Sequence, residues 1–265
     1  MKKSKGLILS SIIMIVLVTL ALSTATFAWF SSGNVVNIAT IAFFASSGTD
    51  AESNDLVLTW DKSSVPDRGQ DLAFAQMGNM DPMVPLNKPV VGTSLYESFV
   101  GDNFFTALET VGVAENRFTS EPIAANPVVC TSSVGAYDKF FAVNKNEAFG
   151  LYVTAEYEIS GENSSALRVA MFVNGKLCGI MCNAEEVTYG EIVNGELTSS
   201  LPTDKDSASP SGELHFRLGA NDGTDNNKAE IRLVAWYDGN SLNNAGQSLS
   251  ARFEKLKFTG AYVEA

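Results

Sequence analysis

Short runs of alternating apolar and polar residues, separated by turn residues, fill the second half of this chain. Leu151, Val153, Ala155, Tyr157 and Ile159 alternate with one tyrosine, one threonine and two glutamates. A period of two places successive side chains on opposite faces of a β-strand, so one face is buried and the other is polar. Several runs of this kind in one chain predict an all-β fold, in which two antiparallel sheets pack as a β-sandwich.

Other segments carry the same signal. Strands are predicted at 56–60, 167–173, 176–181, 213–218 and 231–237. Asn174-Gly175 supplies the positive φ angles of a type I′ hairpin turn between the second and third of these. Between Phe253 and Leu256 the apolar positions change parity, which predicts a β-bulge near Glu254 and Lys255. Short helices are expected at 70–77 and 95–108.

Residues 61–147 are the least regular part of the chain and are rich in Pro, Asn and Gly. We interpret them as irregular insertions that decorate a single β-sandwich domain spanning 29–265. A separate lobe over 61–147 is left open.

The amino terminus has the layout of a secretory signal. Three lysines precede an apolar run from Leu7 to Leu22, and small residues follow as far as Ala28. This order of basic, apolar and small residues predicts an N-terminal signal helix over 1–28, cleaved between Ala28 and Trp29, with Ala25 as the second choice. An uncleaved membrane anchor is the alternative, although 16 residues span about 24 Å as a helix and a bilayer core about 30 Å. Both interpretations place the rest of the chain outside the cell.

No charged residue occurs between Gly6 and Thr49, so the mature chain is predicted to begin with an uncharged, β-prone segment. Its apolar residues fall on both faces of a strand: Val36, Ile38, Ala42 and Phe44 on one, and Val35, Ala39, Ile41 and Phe43 on the other. Such a strand is buried on both sides. It is either a central strand of its own subunit or a strand donated to a neighbouring subunit's sheet. The assembly residues predicted by the second interpretation are Val36, Ile38, Ile41, Phe43 and Phe44.

Charge and composition narrow the function classes. The chain has 18 basic and 30 acidic residues, a net charge of −12. This is the reverse of a nucleic-acid-binding footprint, so no nucleic-acid partner is expected. The single histidine, His215, is incompatible with a multi-histidine metal centre. Three cysteines are too few for a disulfide-dense fold.

Candidate chemical groups have plainer structural explanations. His215 lies between Glu213 and Arg217, so it is predicted to be a solvent-facing strand residue rather than a catalytic one. On a strand, Cys178 and Cys182 would share one face about 13 Å apart, beyond the ~7 Å Cα limit for a disulfide. Buried thiols and one disulfide that includes Cys130 both remain open.

Two further groups of residues are candidate ligand sites. The oxygen-rich stretch 221–227 is predicted to be a turn between strands, with calcium binding as the alternative. Trp60, Trp236 and Tyr237 are expected in the core, with sugar stacking as the alternative. No catalytic, cofactor-binding or metal-binding residue is predicted, and no cofactor is expected.

Three stretches of the chain stand out together: the aromatic junction at 26–31 (Thr-Phe-Ala-Trp-Phe-Ser), the asparagine-rich turn and strand at 162–169, and the strand and turn at 231–240. In these stretches the chain resembles the TasA/camelysin group of secreted proteins from Gram-positive bacteria. The resemblance implies a jelly-roll-like sandwich, cleavage by an ER-type signal peptidase, and an extracellular matrix fibre subunit that donates its N-terminal strand. A metallopeptidase label carried by some members is not transferred, because this chain has no His-Glu-x-x-His motif.

The leading hypothesis is therefore a secreted or cell-surface structural protein, not an enzyme, which polymerises head to tail. Its partners are further copies of itself and the signal peptidase, and it meets the membrane only through residues 1–28 before cleavage. The alternatives are a cell-surface binding module for a carbohydrate or another ligand, and a secreted hydrolase.

Overall fold

The computed structural model describes residues 44–47, 55–67, 71–75, 77, 82–86, 90–93, 95–100, 104–106, 124–134, 137–161, 164–183, 187–188, 191–193, 196–198, 203–204, 212–239 and 251–263. They contain one α-helix, α1 (Tyr96–Val100), and many strands. The first nine strands are β1 (Phe44–Ser47), β2 (Leu56–Thr59), β3 (Leu72–Ala73), β4 (Pro82–Pro85), β5 (Phe104–Thr106), β6 (Ala124–Ala125), β7 (Val128–Val129), β8 (Phe140–Asn144) and β9 (Gly150–Ser160). The others are β10 (Leu167–Val173), β11 (Lys176–Met181), β12 (Val187–Thr188), β13 (Glu191–Val193), β14 (Glu196–Thr198), β15 (Thr203–Asp204), β16 (Glu213–Leu218), β17 (Lys228–Asp238) and β18 (Arg252–Val263).

Two large sheets organise these strands, and the chain is all-β as predicted. The smaller sheet has five strands in the order β16-β9-β18-β1-β3. The larger follows the order β11-β10-β17-β4-β5-β6, with β7 and β8 also paired to β17, and with β2 beyond β8. The four remaining strands form two separate pairs, β12 with β15 and β13 with β14.

One hydrophobic core lies between the two large sheets. Its members come from the inward positions of strands on both sides, because period-two alternation gives each strand one apolar face. Strand β9 contributes the five alternating apolar residues identified in the sequence, β17 contributes Ile231, Leu233 and Ala235, and β18 contributes Leu256 and Phe258. All of these side chains are less than a tenth exposed. We call the two sheets with this core the two-sheet body.

The outer face of the larger sheet is also covered. Phe172, Val234 and Trp236 point away from the first core and join a second buried cluster with Phe99 of α1 and Phe104 of β5. The ring of Phe99 lies 5.3 Å from Phe172 and 5.7 Å from Trp236. Strand β10 and the second half of β17 (233–237) are therefore buried on both faces, which explains why these stretches are almost continuously apolar.

Three local predictions agree with these strands. The turn between β10 and β11 has φ of 51° at Asn174 and 78° at Gly175, as the type I′ assignment requires. The register of β18 against β9 shifts between Phe253 and Lys255, so the predicted bulge is present. Strand β16 has the predicted bounds of Glu213 and Leu218.

Of the two expected helices, one is absent from the described residues and the other is shorter than predicted. Residues 70–77 were expected to be helical and instead contain β3, whose backbone pairs with β1. This prediction was wrong because a long-range strand pairing overrides a weak local spacing. Among the described residues of 95–108, Tyr96–Val100 form the helix α1 and Phe104–Thr106 form strand β5.

Candidate assembly site

Strand β1 is an inner strand of the five-stranded sheet, although it comes from the uncharged N-terminal region. Its register partners in β18 are Leu256 for Ala45, Lys257 for Ser46 and Phe258 for Ser47, all in parallel orientation. On its other side, Phe44 and Ala45 pair antiparallel with Ala73 and Leu72 of β3. Both backbone edges of β1 are thus used, as expected for a strand that completes a sheet.

The edge of β18 that faces β1 is longer than β1 itself. Strand β18 pairs with β9 from Arg252 to Val263, but among the described residues only Leu256, Lys257 and Phe258 have partners on the β1 side. A strand that lies between two others in this way can belong to the same chain or be added from another copy. This slot between β18 and β3 is the candidate assembly site.

The predicted assembly residues fall mostly outside the described structure. Phe44 begins β1 and pairs with Ala73, whereas Val36, Ile38, Ile41 and Phe43 lie outside the described residues, as do Ala28 and Trp29 of the predicted cleavage site. Sequence reasoning missed the receiving residues of β18 and β3. The alternation of Leu256 and Phe258 marked β18 as a strand, but nothing local in the sequence identified its partner.

One end of the two-sheet body lies next to this site and is tied together by asparagine side chains. Asn144 is fully buried, and its Nδ2 donates to the carbonyls of Phe149 (2.8 Å) and Gly219 (2.7 Å). The backbone N–H of Asn221 donates to the carbonyl of Asn146 at 2.7 Å. We call this region the loop end and define it as Asp55, 144–150, 219–227 and 262–263.

Asp55 links the loop end to β18. Its Oδ2 accepts hydrogen bonds from the Tyr262 hydroxyl (2.6 Å) and from Asn146 Nδ2 (2.8 Å). The hydrogen bond from Tyr262, followed by that from Asn146, lowers the pKa of Asp55 because both favour its charged form. Asp55 immediately precedes β2.

His215 is a solvent-facing strand residue, as predicted. Its ring stacks on Tyr152 at 5.2 Å, its Nδ1 lies 3.2 Å from Thr154 Oγ1, and its Nε2 lies 3.7 Å from Glu213 Oε2. On the same outer face, Lys255 Nζ lies 2.7 Å from Glu156 Oε2. Its hydrogen bond to Lys255 lowers the pKa of Glu156. This face of the five-stranded sheet is a polar ladder of charge pairs.

None of the three cysteines, all of which are described, forms a disulfide. The prediction that Cys178 and Cys182 share a face was wrong, because Cys178 packs on the first core and Cys182 belongs to the second. The pairing of β10 with β11 skips Cys178, and this irregularity reverses the alternation that follows. Burial raises the pKa of Cys130 to about 12 and that of Cys178 to about 11.

The remaining ligand candidates behave as structural residues. Residues 221–227 connect β16 to β17, and Thr224 caps a 3-10 turn by accepting from the Asn226 N–H. Trp236 and Tyr237 are fully buried, so neither presents a ring to a sugar. Trp60 is half-buried and stacks on Tyr137 at 6.1 Å.

The described residues hold no group of three or more histidine, cysteine or acidic side chains placed to bind a metal ion. Within the same residues, no helix has the length and apolar character needed to cross a membrane.

The fold defines an all-β protein whose two large sheets share one core. Compared with known proteins, the chain matches no family model, no curated protein and no solved structure.

Proposed function

We propose that the chain is a secreted structural protein, a subunit of an extracellular matrix or surface fibre. Residues 1–28 form a signal helix that is removed between Ala28 and Trp29, and 29–265 form one jelly-roll-like domain. Each subunit donates its uncharged N-terminal strand to the slot between β18 and β3 of the next subunit. The role is structural, and no residue is assigned to catalysis.

The position of β1 carries the proposal. It comes from the N-terminal region, completes a sheet on both edges, and pairs in parallel with a strand from the far end of the chain. The seven residues 48–54 are its covalent link to Asp55. The same backbone hydrogen bonds form whether β1 belongs to this subunit or to another copy, so exchange between copies loses no sheet pairing.

Head-to-tail donation of this kind need not close on itself, so it can grow a filament.

A cysteine-pairing experiment distinguishes donation from an ordinary internal strand. Neighbouring strands lie about 4.8 Å apart, within the Cα range of a disulfide. We expect Ser46→Cys and Lys257→Cys chains, each also carrying Cys178→Ser, to form a disulfide between different molecules when mixed and oxidised. The matched control mixes Ser46→Cys with Arg217→Cys, which lies three strands away in β16 and is too distant to react. A chain that carries both Ser46→Cys and Lys257→Cys serves as a second comparison. If a disulfide forms only within this single chain, and never between different molecules, donation is contradicted.

Two further tests address polymerisation itself. Negative-stain microscopy and light scattering should show filaments from residues 29–265 and monomers from a chain beginning at Asp50. Replacing Ile41 and Phe43 by Asp should also abolish filaments while circular dichroism still reports a folded β protein. Filaments from either altered chain would place the donated strand elsewhere.

The binding-module alternative has one observation in its favour, the partly exposed ring pair of Trp60 and Tyr137. It expects 29–265 and 50–265 both to be monomers, and the melting temperature of 29–265 to rise with an added glycan.

A further inference from the structure

The loop end carries an exposed aromatic pair that the core does not need. Phe149 is 45% exposed and Tyr262 is 39% exposed, and their ring centroids lie 5.7 Å apart. Ala148 and Ala261 beside them are also exposed. Aromatic residues are enriched in protein–protein contacts because they bury much apolar area at little cost in side-chain entropy.

The loop end is also held in a fixed shape. Asn144 connects Phe149 to Gly219, and Asp55 connects Tyr262 to Asn146, all through hydrogen bonds of 2.8 Å or less. A surface that is already ordered loses little conformational entropy when a partner docks. The aromatic pair is therefore presented on a preformed platform.

The direction of β1 points to the partner. Because β1 runs parallel to β18, the chain leaves the slot toward Val263, which belongs to the loop end. Seven residues separate Ser47 from Asp55, so the gap between them is at most roughly 30 Å. Asp55 lies at the loop end of its own body, since Tyr262 and Asn146 both bind it.

From these placements we infer that the loop end, with Phe149 and Tyr262 on its surface, is where the next copy of the chain docks. The inference rests on the proposed function. When a copy donates β1, its Asp55 is held by this short link within roughly 30 Å of Ser47, which lies opposite Phe258, four residues before Tyr262 of the acceptor's loop end. Every donated strand leaves from one loop end and enters at another, so the aromatic pair lies at each junction.

A labelling experiment on the full chain, expressed with its own N-terminus and collected from the medium, tests this surface. Ala148→Cys is placed beside Phe149, and the reaction of the new thiol with maleimide is followed in fresh monomer and in assembled material. We expect labelling to slow by about tenfold on assembly, because a packed interface excludes solvent and reagent. The matched control, Val134→Cys, lies beyond the opposite end of β2 and β8, where Val134 is 80% exposed. Its labelling should change by less than about twofold.

A substitution complements the footprint. Phe149→Ser removes the exposed ring and should slow filament growth by about tenfold, as expected when an interface aromatic is lost. Val134→Ser removes a more exposed apolar side chain from the other end and should leave growth unchanged. Melting temperatures of both monomers establish that each variant is folded.

The outcomes separate the two proposals. Filaments in which position 148 stays as reactive as in monomer would overturn the docking surface and leave strand donation intact. A closed dimer that protects position 148 would support the docking surface and contradict the fibre. A chain that stays monomeric in all conditions would overturn both.

Discussion

Ala45 lies opposite Leu256 in parallel register, in a sheet whose other described strand pairs are antiparallel. These two residues are separated by more than 200 positions in the chain, yet they define how the sheet is completed. The parallel orientation fixes the direction in which the chain leaves the sheet, and this direction leads to the loop end. The assembly proposal and the docking surface both follow from this pairing.

Removing one partner of the buried ion pair of Arg168 and Asp238 should strongly destabilise the fold. Arg168 Nη2 lies 3.0 Å from Asp238 Oδ2, and both side chains are fully buried. Arg168→Met leaves a buried carboxylate without its cation, so the free energy of unfolding should fall by about 3–5 kcal/mol. Urea denaturation measures the loss. Lys255→Met, which removes the exposed pair with Glu156, is the control and should cost under about 1 kcal/mol.

Asn144 should be indispensable for the loop end. Its Nδ2 satisfies two carbonyls, those of Phe149 and Gly219, and its Oδ1 accepts from the Asn146 N–H. Asn144→Ala leaves these groups without their partner, at an expected cost of about 2–4 kcal/mol in unfolding free energy. Asn226→Ala, an exposed neighbour in the same region, should change stability by under about 0.5 kcal/mol. Equal effects of the two substitutions would contradict this role for Asn144.

The thiols should be nearly inert in the folded protein. With a pKa of about 11, the Cys178 thiol is ionised in roughly one molecule in a thousand at pH 8. Because Cys178 is half-buried and the other two are buried, it should react first with a disulfide reagent, and Cys130 and Cys182 should react only on unfolding. Peptide mapping after timed labelling gives the order. A fast reaction of Cys130 in the native protein would show that its thiol is accessible to reagent, which contradicts this prediction.

Salt should accelerate assembly. The full chain carries a net charge of −12, and removal of residues 1–28 with their three lysines leaves −15 on 29–265. This charge makes copies repel one another, and 0.1 M salt limits that repulsion to about 10 Å. Light scattering should therefore show faster filament growth at 0.3 M than at 0.03 M sodium chloride, values chosen to span roughly a threefold change in screening length. A rate independent of salt would mean that charge repulsion does not control assembly.

The sequence predicts elements whose structure is determined locally. Strands β9 and β16 and the Asn174-Gly175 turn follow from periodicity and from φ preferences, so their residues were identified without any structure. The slot could not be found in this way, since the pairing of Ala45 with Leu256 depends on contacts across the whole chain. Strand β3 was mistaken for a helix for the same reason.

Side-chain faces were predictable only where the alternation is regular. The register shift at Cys178 places this residue and Cys182 on opposite faces of the sheet. The sequence of β11 contains no pattern that predicts this shift. The exposure of Phe149 and Tyr262 could not be predicted either, because an exposed aromatic residue in a strand has the same local sequence pattern as a core residue.

The hydrogen bond from Tyr262 to Asp55 should make stability depend on pH. It lowers the pKa of Asp55 in the folded state, so its stabilisation is present above the unfolded pKa of about 3.9 and is lost as pH falls through the lower folded value. Tyr262→Phe should therefore reduce the free energy of unfolding by about 1 kcal/mol at pH 7, a figure reduced for the partial exposure of both groups.

The difference between the wild type and Tyr262→Phe should shrink as the pH falls from about 4 through the lowered pKa of folded Asp55, because Asp55 is protonated first in the unfolded chain and then in the folded one. Urea denaturation from pH 7 to pH 3 measures it. Tyr137→Phe is the control, since Tyr137 stacks on Trp60 at the opposite end and its effect should stay constant with pH. A difference for Tyr262→Phe that does not change between pH 7 and pH 3 would show that the hydroxyl does not stabilise the Asp55 carboxylate.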